Sequence, residues 1–342
     1  MARISIYGAG AIGCYLGGRL AAGGADVAFI GRPGVGDELR QHGLTLTHYD
    51  GRDWRVPPET IAFSTGPDAV AAADLVLITV KSGSTAQAAA ELAALAAPNA
   101  VVISFQNSIG NADVLRAALP GRSVLAGMVP FNVIRRGAGA FHQASEGEPE
   151  VEDAAALAPF LSDFARAGFA LRQHPDMLPV QWAKLLLNLN NAVNALSGLP
   201  LQQELAQRAY RRCLALAQTE ALALLKQAEI RPARLTPLPA SWIPALLRLP
   251  DALFARLARK MLAIDPSARS SMADDLAAGR RTEVDWINGE VVRLAERLGQ
   301  RAPVNALLIS LIKAAETGTA NWSGEALLAE LLGRHSGTGR PA

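Results

Sequence analysis

Histidine and cysteine are scarce in this chain, with five and two residues among 342. Two thiols as far apart as Cys14 and Cys213 cannot build a disulfide framework or a multi-cysteine zinc site, and no metal site is expected. Both read as buried thiols in a reducing compartment. His42, His48, His142, His174 and His335 fall in no catalytic motif, so proton transfer must be sought in another side chain. Charge of one sign is missing too. Lys and Arg number 33 against 31 Asp and Glu, a net +2. Apart from pairs such as Arg135-Arg136 and Arg280-Arg281 the basic residues are scattered, so no nucleic acid partner is expected. Gly, Pro, Lys or Asp interrupts every apolar run before it reaches the length of a membrane span, and the opening residues read as the first strand in preference to a signal peptide. The expected setting is therefore cytoplasmic, with no membrane partner. What is present is core material: half the residues are hydrophobic and 19% are charged. That balance and the length favour a globular α/β protein of two domains.

Short apolar runs alternate with alanine-rich helical patterns through the first half, as in a parallel sheet with crossover helices. Strands are expected at 4–7, 27–30, 75–80 and 101–105. The alternation over 44–56 around Asp50-Gly51 predicts an inserted hairpin. Segments 123–133 and 140–142 read as the last strands of the same sheet, followed by a helix near 153–167. The expected domains are an N-terminal Rossmann-type parallel sheet domain (1–176), an all-helical C-terminal domain (177–334) and a flexible tail (335–342). The helical periodicities cover 181–196, 201–228, 242–261, 283–298 and 304–317. Segment 242–261 is amphipathic and basic, with Arg248, Arg256, Arg259 and Lys260 among leucines. It reads as core or homodimer packing in preference to a membrane-surface helix.

Gly8-Ala-Gly10-Ala11-Ile12-Gly13 follows the first strand and opens a helical pattern, the context that a dinucleotide fingerprint requires. Gly8 permits a tight turn, Gly10 leaves room for a pyrophosphate, and Gly13 lets helix and strand approach, while the helix N-terminus receives the negative charge. The second strand ends in Ile30-Gly31-Arg32, about twenty residues on, where an acid would bind the ribose 2′-hydroxyl of NAD. No acid is there, and Asp26 sits at the opposite end of that strand. The planar fork of Arg32 suits a 2′-phosphate, so the expected cofactor is NADP (NADPH).

Further candidates lie at strand ends and on one apolar helix. Val80-Lys81-Ser82 and Gln106-Asn107-Ser108 emerge at carboxyl ends of strands, where open α/β sheets bind ligands. In Trp182-Ala-Lys184-Leu-Leu-Leu-Asn188, Lys184 and Asn188 share a helix face. A lysine among three leucines is costly unless it has a purpose. Thr282 and Asp285 have the spacing of a capping box, which places Glu283 in the first turn of a helix, where an anion is favoured. A ketone reduced by hydride develops an alkoxide and needs a proton donor. A lysine ammonium beside a glutamate can serve, with the carboxylate holding its proton on until the alkoxide demands it.

Together these segments resemble the 2-dehydropantoate 2-reductase (ketopantoate reductase) family. The resemblance runs from Gly8-Ala-Gly10 through Val80-Lys81, Gln106-Asn107, Trp182-Ala-Lys184-Leu-Leu-Leu-Asn188 and Ser271-Met272-Ala-Asp-Asp275 to Arg281-Thr282-Glu283-Val-Asp-Trp-Ile-Asn288-Gly289. It implies reduction of 2-dehydropantoate to (R)-pantoate by NADPH in pantothenate biosynthesis. It further implies Lys184 as general acid, Glu283 as active-site carboxylate also near the cofactor, and Asn188, Ser271 and Lys81 as substrate-binding groups. Gly8, Gly10, Ala11, Ile12, Gly13, Arg32, Lys81 and Asn107 fall on the cofactor side. Three positions depart from the family pattern. Ala192 stands where an asparagine is common, Ala268 where better characterised members have a substrate-contacting asparagine, and Ser108 where glycine is usual. The first two touch the substrate pocket, so a different 2-oxo acid is the nearest alternative; a non-catalytic NADP-binding sensor would not need Lys184 and Glu283.

Replacing Arg32 with Ala is expected to weaken NADPH binding by about ten- to a hundredfold while sparing NADH, because only NADPH carries the extra phosphate. Fluorescence titration with both cofactors checks this, and equal losses would remove Arg32 from the selecting role.

Overall fold

In the computed structural model, which describes residues 2–259, 266, 268–318 and 321–336, the chain divides into two compact units, Met1–Met177 and Leu178–Ala342. In the first unit, in chain order, lie β1 (Arg3–Tyr7), α1 (Ala11–Ala22), β2 (Asp26–Ile30), α2 (Pro33–His42), β3 (Leu44–His48), β4 (Asp53–Val56), β5 (Ala62–Ser64), β6 (Leu75–Ile78) and α3 (Thr85–Leu95). There follow β7 (Val101–Ser104), α4 (Asn111–Ala118), β8 (Val124–Met128), β9 (Val133–Gly137), β10 (Ala140–Gln143), β11 (Glu150–Glu152), α5 (Leu161–Arg166) and β12 (Arg172–His174). The main sheet has the order β12-β11-β8-β7-β6-β1-β2-β5 and is parallel except where β11 meets β8. The chain leaves β1 toward β2 on one side and returns to β6 on the other, making the switch point at which such sheets bind ligands. The expected strands β1, β2, β6 and β7 are buried over nearly their whole length, as parallel strands covered on both faces must be. Strands β5, β11 and β12 are only three residues each, too short to show a period.

The hairpin expected over 44–56 is present as β3 and β4, but β9 and β10 do not extend the main sheet. They join the hairpin in a second sheet of order β4-β3-β10-β9. The reason lies in α1, which is covered on two faces. A Cβ on Gly17 would meet the Phe29 ring at 2.5 Å, and one on Gly18 would meet Leu46 Cδ1 at 2.8 Å. Adjacent glycines thus let the main sheet approach one side and the second sheet the other. The price of this double burial is Arg19, 1% exposed. Its guanidinium donates from Nε (3.0 Å) and Nη2 (2.6 Å) to the Ala167 carbonyl and from Nη1 to Tyr15 Oη (3.1 Å). It also lies 3.5 Å from the centre of the Trp54 ring.

The described residues of the second unit are helical: α6 (Leu178–Asn188), α7 (Asn190–Ser197), α8 (Leu201–Ala206), α9 (Arg208–Gln227), α10 (Ile243–Leu247), α11 (Asp251–Leu257), α12 (Ser271–Ala277), α13 (Val284–Arg297), α14 (Pro303–Ala315) and α15 (Gly324–Ser336). Three of the long helices expected from the sequence are broken. The helix over 181–196 parts at Leu189, where three asparagines in four residues weaken it. The helix over 201–228 parts at an extended Gln207, and buried Arg211 uses the carbonyls exposed there: Nη1 donates to Leu205 O (2.9 Å) and Ala206 O (3.0 Å). Segment 242–261 is two short helices separated around Pro250; Ile243, Leu247 and Phe254 are buried while Trp242, Leu253 and Leu257 are exposed. Its end, Lys260 and Met261, lies outside the described residues. Helix α15 runs to Ser336, two residues into the expected tail, and 337–342 also lie outside them. Among the described residues no helix is long and apolar enough to cross a membrane.

Helix α14 begins with Pro303 and has no side-chain cap of its own. The carboxylate of Glu220, on α9, supplies one by accepting from Val304 N (2.9 Å), Asn305 N (2.9 Å) and Asn305 Nδ2 (2.8 Å). Glu220→Ala is expected to cost about 2 kcal/mol in chemical denaturation, the sum expected for a lost cap and a charged hydrogen bond. A change below about 0.5 kcal/mol, the level of a neutral surface substitution, would show that water replaces the carboxylate.

Candidate active-site residues

The cofactor-side candidates of the first unit converge at the carboxyl ends of β1, β2, β6 and β7. Gly8, at φ +119°, sits so tightly under the next strand that a Cβ would lie 2.6 Å from Val80 N. The turn is held by Gly8 N and Ala9 N, which donate to Ile30 O at 3.0 and 2.8 Å, and by Thr79 Oγ1, which donates to Gly8 O at 2.7 Å. At Gly13 a Cβ would fall 2.2 Å from Gly8 O. Gly10, the N-cap of α1, differs: a Cβ there would meet nothing within 4 Å. Its open side faces away from the packed turn, and Ala11, Ile12 and Gly13 follow it with the N–H groups that a helix start leaves without helical acceptors. The first turn carries no acidic residue. These features fit a bound pyrophosphate.

Arg32 is exposed at the start of α2, and Gly31 before it packs against Ala9, so the arginine stands beside the glycine turn. Asp26, at the other end of β2, pairs with Arg3 at 3.1 Å. Lys81 is exposed and Asn107 partly buried, each in the turn after its strand. A buried polar web joins those two turns. Ser82 Oγ donates to Asn107 O (3.0 Å), Asn111 Nδ2 to Asn107 O (2.8 Å) and Ser82 Oγ (3.1 Å), and Thr85 Oγ1 to Asn111 Oδ1 (2.8 Å). Gln106 Nε2 adds bonds to Val80 O (3.1 Å) and Thr85 Oγ1 (2.7 Å). Ser82 and Asn111 belong to the polar clusters that follow the two strands in sequence but have no role assigned there, and Thr85 is not among the sequence candidates.

In the second unit Lys184 lies within α6, with Asn188 closing that helix one turn later. Lys184 is half-buried by surface area, yet protein surrounds it deeply enough to lower its ammonium pKa to about 8. That direction comes from burial and is opposite to the one expected from a neighbouring carboxylate. Ser271 is the exposed first residue of α12. Ser270 before it is the true cap, accepting from Ala273 N at 3.1 Å, and its own N–H donates to Asn194 Oδ1 at 2.9 Å. Nothing in the sequence marks the role of Asn194, because its tie to Ser270 spans 76 residues.

Glu283 is the N-cap residue of α13 and not part of its first turn, and the capping box does not form. Thr282 Oγ1 accepts from Val284 N at 3.3 Å, but Glu316 takes the reciprocal place by accepting from Thr282 N (2.8 Å) and Thr282 Oγ1 (2.7 Å). Asp285 pairs with Lys313 at 2.7 Å instead. Histidines serve other contacts: His48 meets Asp50 at 2.6 Å, His174 meets Glu150 at 2.6 Å and His142 Nδ1 meets Thr47 Oγ1 at 2.8 Å.

The family profile described as ketopantoate reductase PanE/ApbA matches residues 4–155, and its C-terminal counterpart matches residues 176–316. The chain belongs to the ketopantoate reductase family. Among its relatives is a 2-dehydropantoate 2-reductase of Halobacterium salinarum (strain ATCC 700922 / JCM 11081 / NRC-1), 29% identical, with 92% of this chain and 99% of that protein covered. A crystal structure of a PanE/ApbA family ketopantoate reductase from Ralstonia eutropha JMP134 superposes with a TM-score of 0.78 at 32% identity, covering 92% of this chain and 98% of that one. A D-mandelate dehydrogenase solved with NADH and anilino(oxo)acetate shares the fold at TM-score 0.73 and 20% identity, covering 92% and 98% of the two chains.

Membership of the ketopantoate reductase family bears on the three departures. Ala192 is fully buried in α7, and Ala268 accepts Leu201 N through its carbonyl at 2.8 Å. Ser108 has φ +80°, a left-handed conformation that explains why glycine suits this turn. Ser108→Gly is therefore expected to raise stability by about 1 kcal/mol in thermal unfolding. A loss of stability would show that the serine side chain contributes more than its backbone costs.

Proposed function

We propose that this protein is an NADPH-dependent 2-oxo acid reductase whose physiological reaction is the reduction of 2-dehydropantoate to (R)-pantoate. The observation that carries this reading is Lys184, an ammonium set among leucines with its pKa lowered to about 8 by burial. Such a group is protonated at neutral pH and yet gives its proton up readily to an alkoxide. NADPH, when bound, supplies the hydride. The open side of Gly10 and the N–H groups of Ala11, Ile12 and Gly13 bind its pyrophosphate, and Arg32 binds its 2′-phosphate. Lys81 and Asn107, fixed by the web that joins their turns, orient the cofactor, and Lys81 also binds the acid. On the second unit Asn188 and the Ser271 hydroxyl hold the 2-oxo acid, Lys184 gives its proton to the alkoxide oxygen that becomes the new hydroxyl, and Glu283 orients the reacting groups. The family's relatives named 2-dehydropantoate 2-reductase support this reading over a cofactor sensor. A different 2-oxo acid is favoured only at Ala192 and Ala268, where the amide contacts expected of the family are missing.

NADPH oxidation measured with 2-dehydropantoate beside other 2-oxo acids tests reaction, cofactor and substrate together; 2-dehydropantoate is expected to have the highest kcat/KM. Turnover is expected to fall as pH rises past about 8, because Lys184 loses its proton there. Lys184→Ala is expected to lower turnover by about 10²- to 10⁴-fold with NADPH affinity unchanged, the usual loss for a general acid. Near-normal turnover would take Lys184 out of that role.

A further inference from the structure

Glu204, on α8, is 0% exposed, and the two hydrogen bonds its carboxyl accepts among the described residues fall on one oxygen. Asn190 Nδ2 donates to Oε2 at 3.0 Å and Asn194 Nδ2 to the same atom at 3.3 Å. The other oxygen, Oε1, is a buried acceptor with no hydrogen-bond partner among the described residues, and so is Oδ1 of Asn190. Two buried acceptors on a pair already joined by one N–H···O bond lack a single donor between them. A proton on Glu204 is that donor, since an amide and a carboxylic acid can exchange two hydrogen bonds whereas an amide and a carboxylate cannot. Leaving both acceptors unmade and a carboxylate buried would cost several kcal/mol.

The surrounding groups favour the same state. Burial raises the carboxyl to about 8, and the two amide bonds offset only part of that rise. From α9, Tyr210 and Cys213 face it, and both have pKa values raised by burial. Arg211, also on α9, commits its guanidinium to the carbonyls of Leu205, Ala206, Leu247 and Leu249 and to Asp251. The titratable neighbours are therefore neutral, and the nearby cation is engaged with other partners.

Asn194 carries the consequence to the substrate side. Its Nδ2 donates to Glu204 Oε2 and to Leu199 O (3.0 Å), while its Oδ1 accepts from Ser270 N at 2.9 Å. Ser270 Oγ, which donates to Asn191 O at 3.2 Å, then caps the helix that begins at Ser271. We propose that Glu204 is held as the neutral acid and that it acts through Asn194 as a positioning residue, fixing the start of α12 so that the Ser271 hydroxyl meets the 2-oxo acid. The substrate half rests on the proposed function; the proton on Glu204 does not.

Two measurements separate the halves. The infrared difference spectrum between wild type and Glu204→Gln at neutral pH is expected to show a protonated carboxyl band in wild type alone; a carboxylate band there overturns the neutral acid. In steady-state assays, Asn194→Ala is expected to raise KM for the 2-oxo acid by about tenfold, the worth of one buried hydrogen bond, with kcat and NADPH affinity little changed. Wild type is expected to show a rise in KM above about pH 8, and Glu204→Gln, which reproduces the neutral acid's donor and acceptor, to keep the wild-type KM at neutral pH and to lack that rise. A fall in kcat with unchanged KM in Asn194→Ala, or a KM in Glu204→Gln raised to that of Asn194→Ala, overturns the positioning role. Should wild type reduce no 2-oxo acid, the proposed function fails while the infrared result still decides the state of Glu204.

Discussion

The first unit is organised by one steric constraint: α1 must lie against two sheets at once. A helix on the surface of a sheet needs one apolar stripe, but this one is buried from Gly13 to Leu20. Only glycine lets backbone approach this closely on adjacent faces, and Gly17 and Gly18 divide the task between Phe29 and Leu46. Gly13 does the same at the N-terminus against the Gly8 carbonyl. Clamped in this way, the start of α1 is aimed by its packing and not by a side-chain cap. That leaves its N–H groups available to a ligand, and the web from Ser82 to Asn111 fixes the neighbouring turns with comparable stiffness.

The helical unit solves a related problem with polar groups. Its helices are short and meet end to side, so each terminus that stops inside the unit needs a partner for its backbone. Glu220 supplies acceptors to the start of α14, Arg211 supplies donors to the end of α8, and Asn194 ties α7 to the start of α12. Glu220 and Asn194 lie 84 and 76 residues from the helix ends they serve, whereas Arg211 reaches back only five or six. The unit is thus specified by a few long polar ties laid over an apolar background rich in alanine and leucine, whose packing alone would tolerate other arrangements.

What was legible in the sequence follows from the range of the forces involved. The glycine turn and the strands around it are set by local pattern and stand where the pattern placed them, while the apolar helix carrying Lys184 forms but ends at Asn188. The break at Gln207 was not legible, because a carbonyl taken by Arg211 leaves no mark in the residues that own it; the break at Leu189 does carry a local signal, in the three asparagines of 188–191. The destination of β9 and β10 was hidden for a similar reason: an alternating strand shows which face it buries, not which sheet it joins. The Thr282 spacing misled because Glu316, 34 residues away, outcompeted the local partner. Among the candidate site residues, the identities came from motif and the support beneath them came from contacts that motif does not encode.

Arg19 has a consequence for the order in which the first unit can be completed during synthesis. Its guanidinium is satisfied by the carbonyl of Ala167, 148 residues downstream. Helix α1 therefore leaves the ribosome long before the acceptor for its buried charge exists, and until α5 arrives the groove between the two sheets cannot close around it. The glycine turn at the start of α1 is held by Ile30 and Thr79, which follow it sooner in the chain, while the far end of the same helix waits for Ala167.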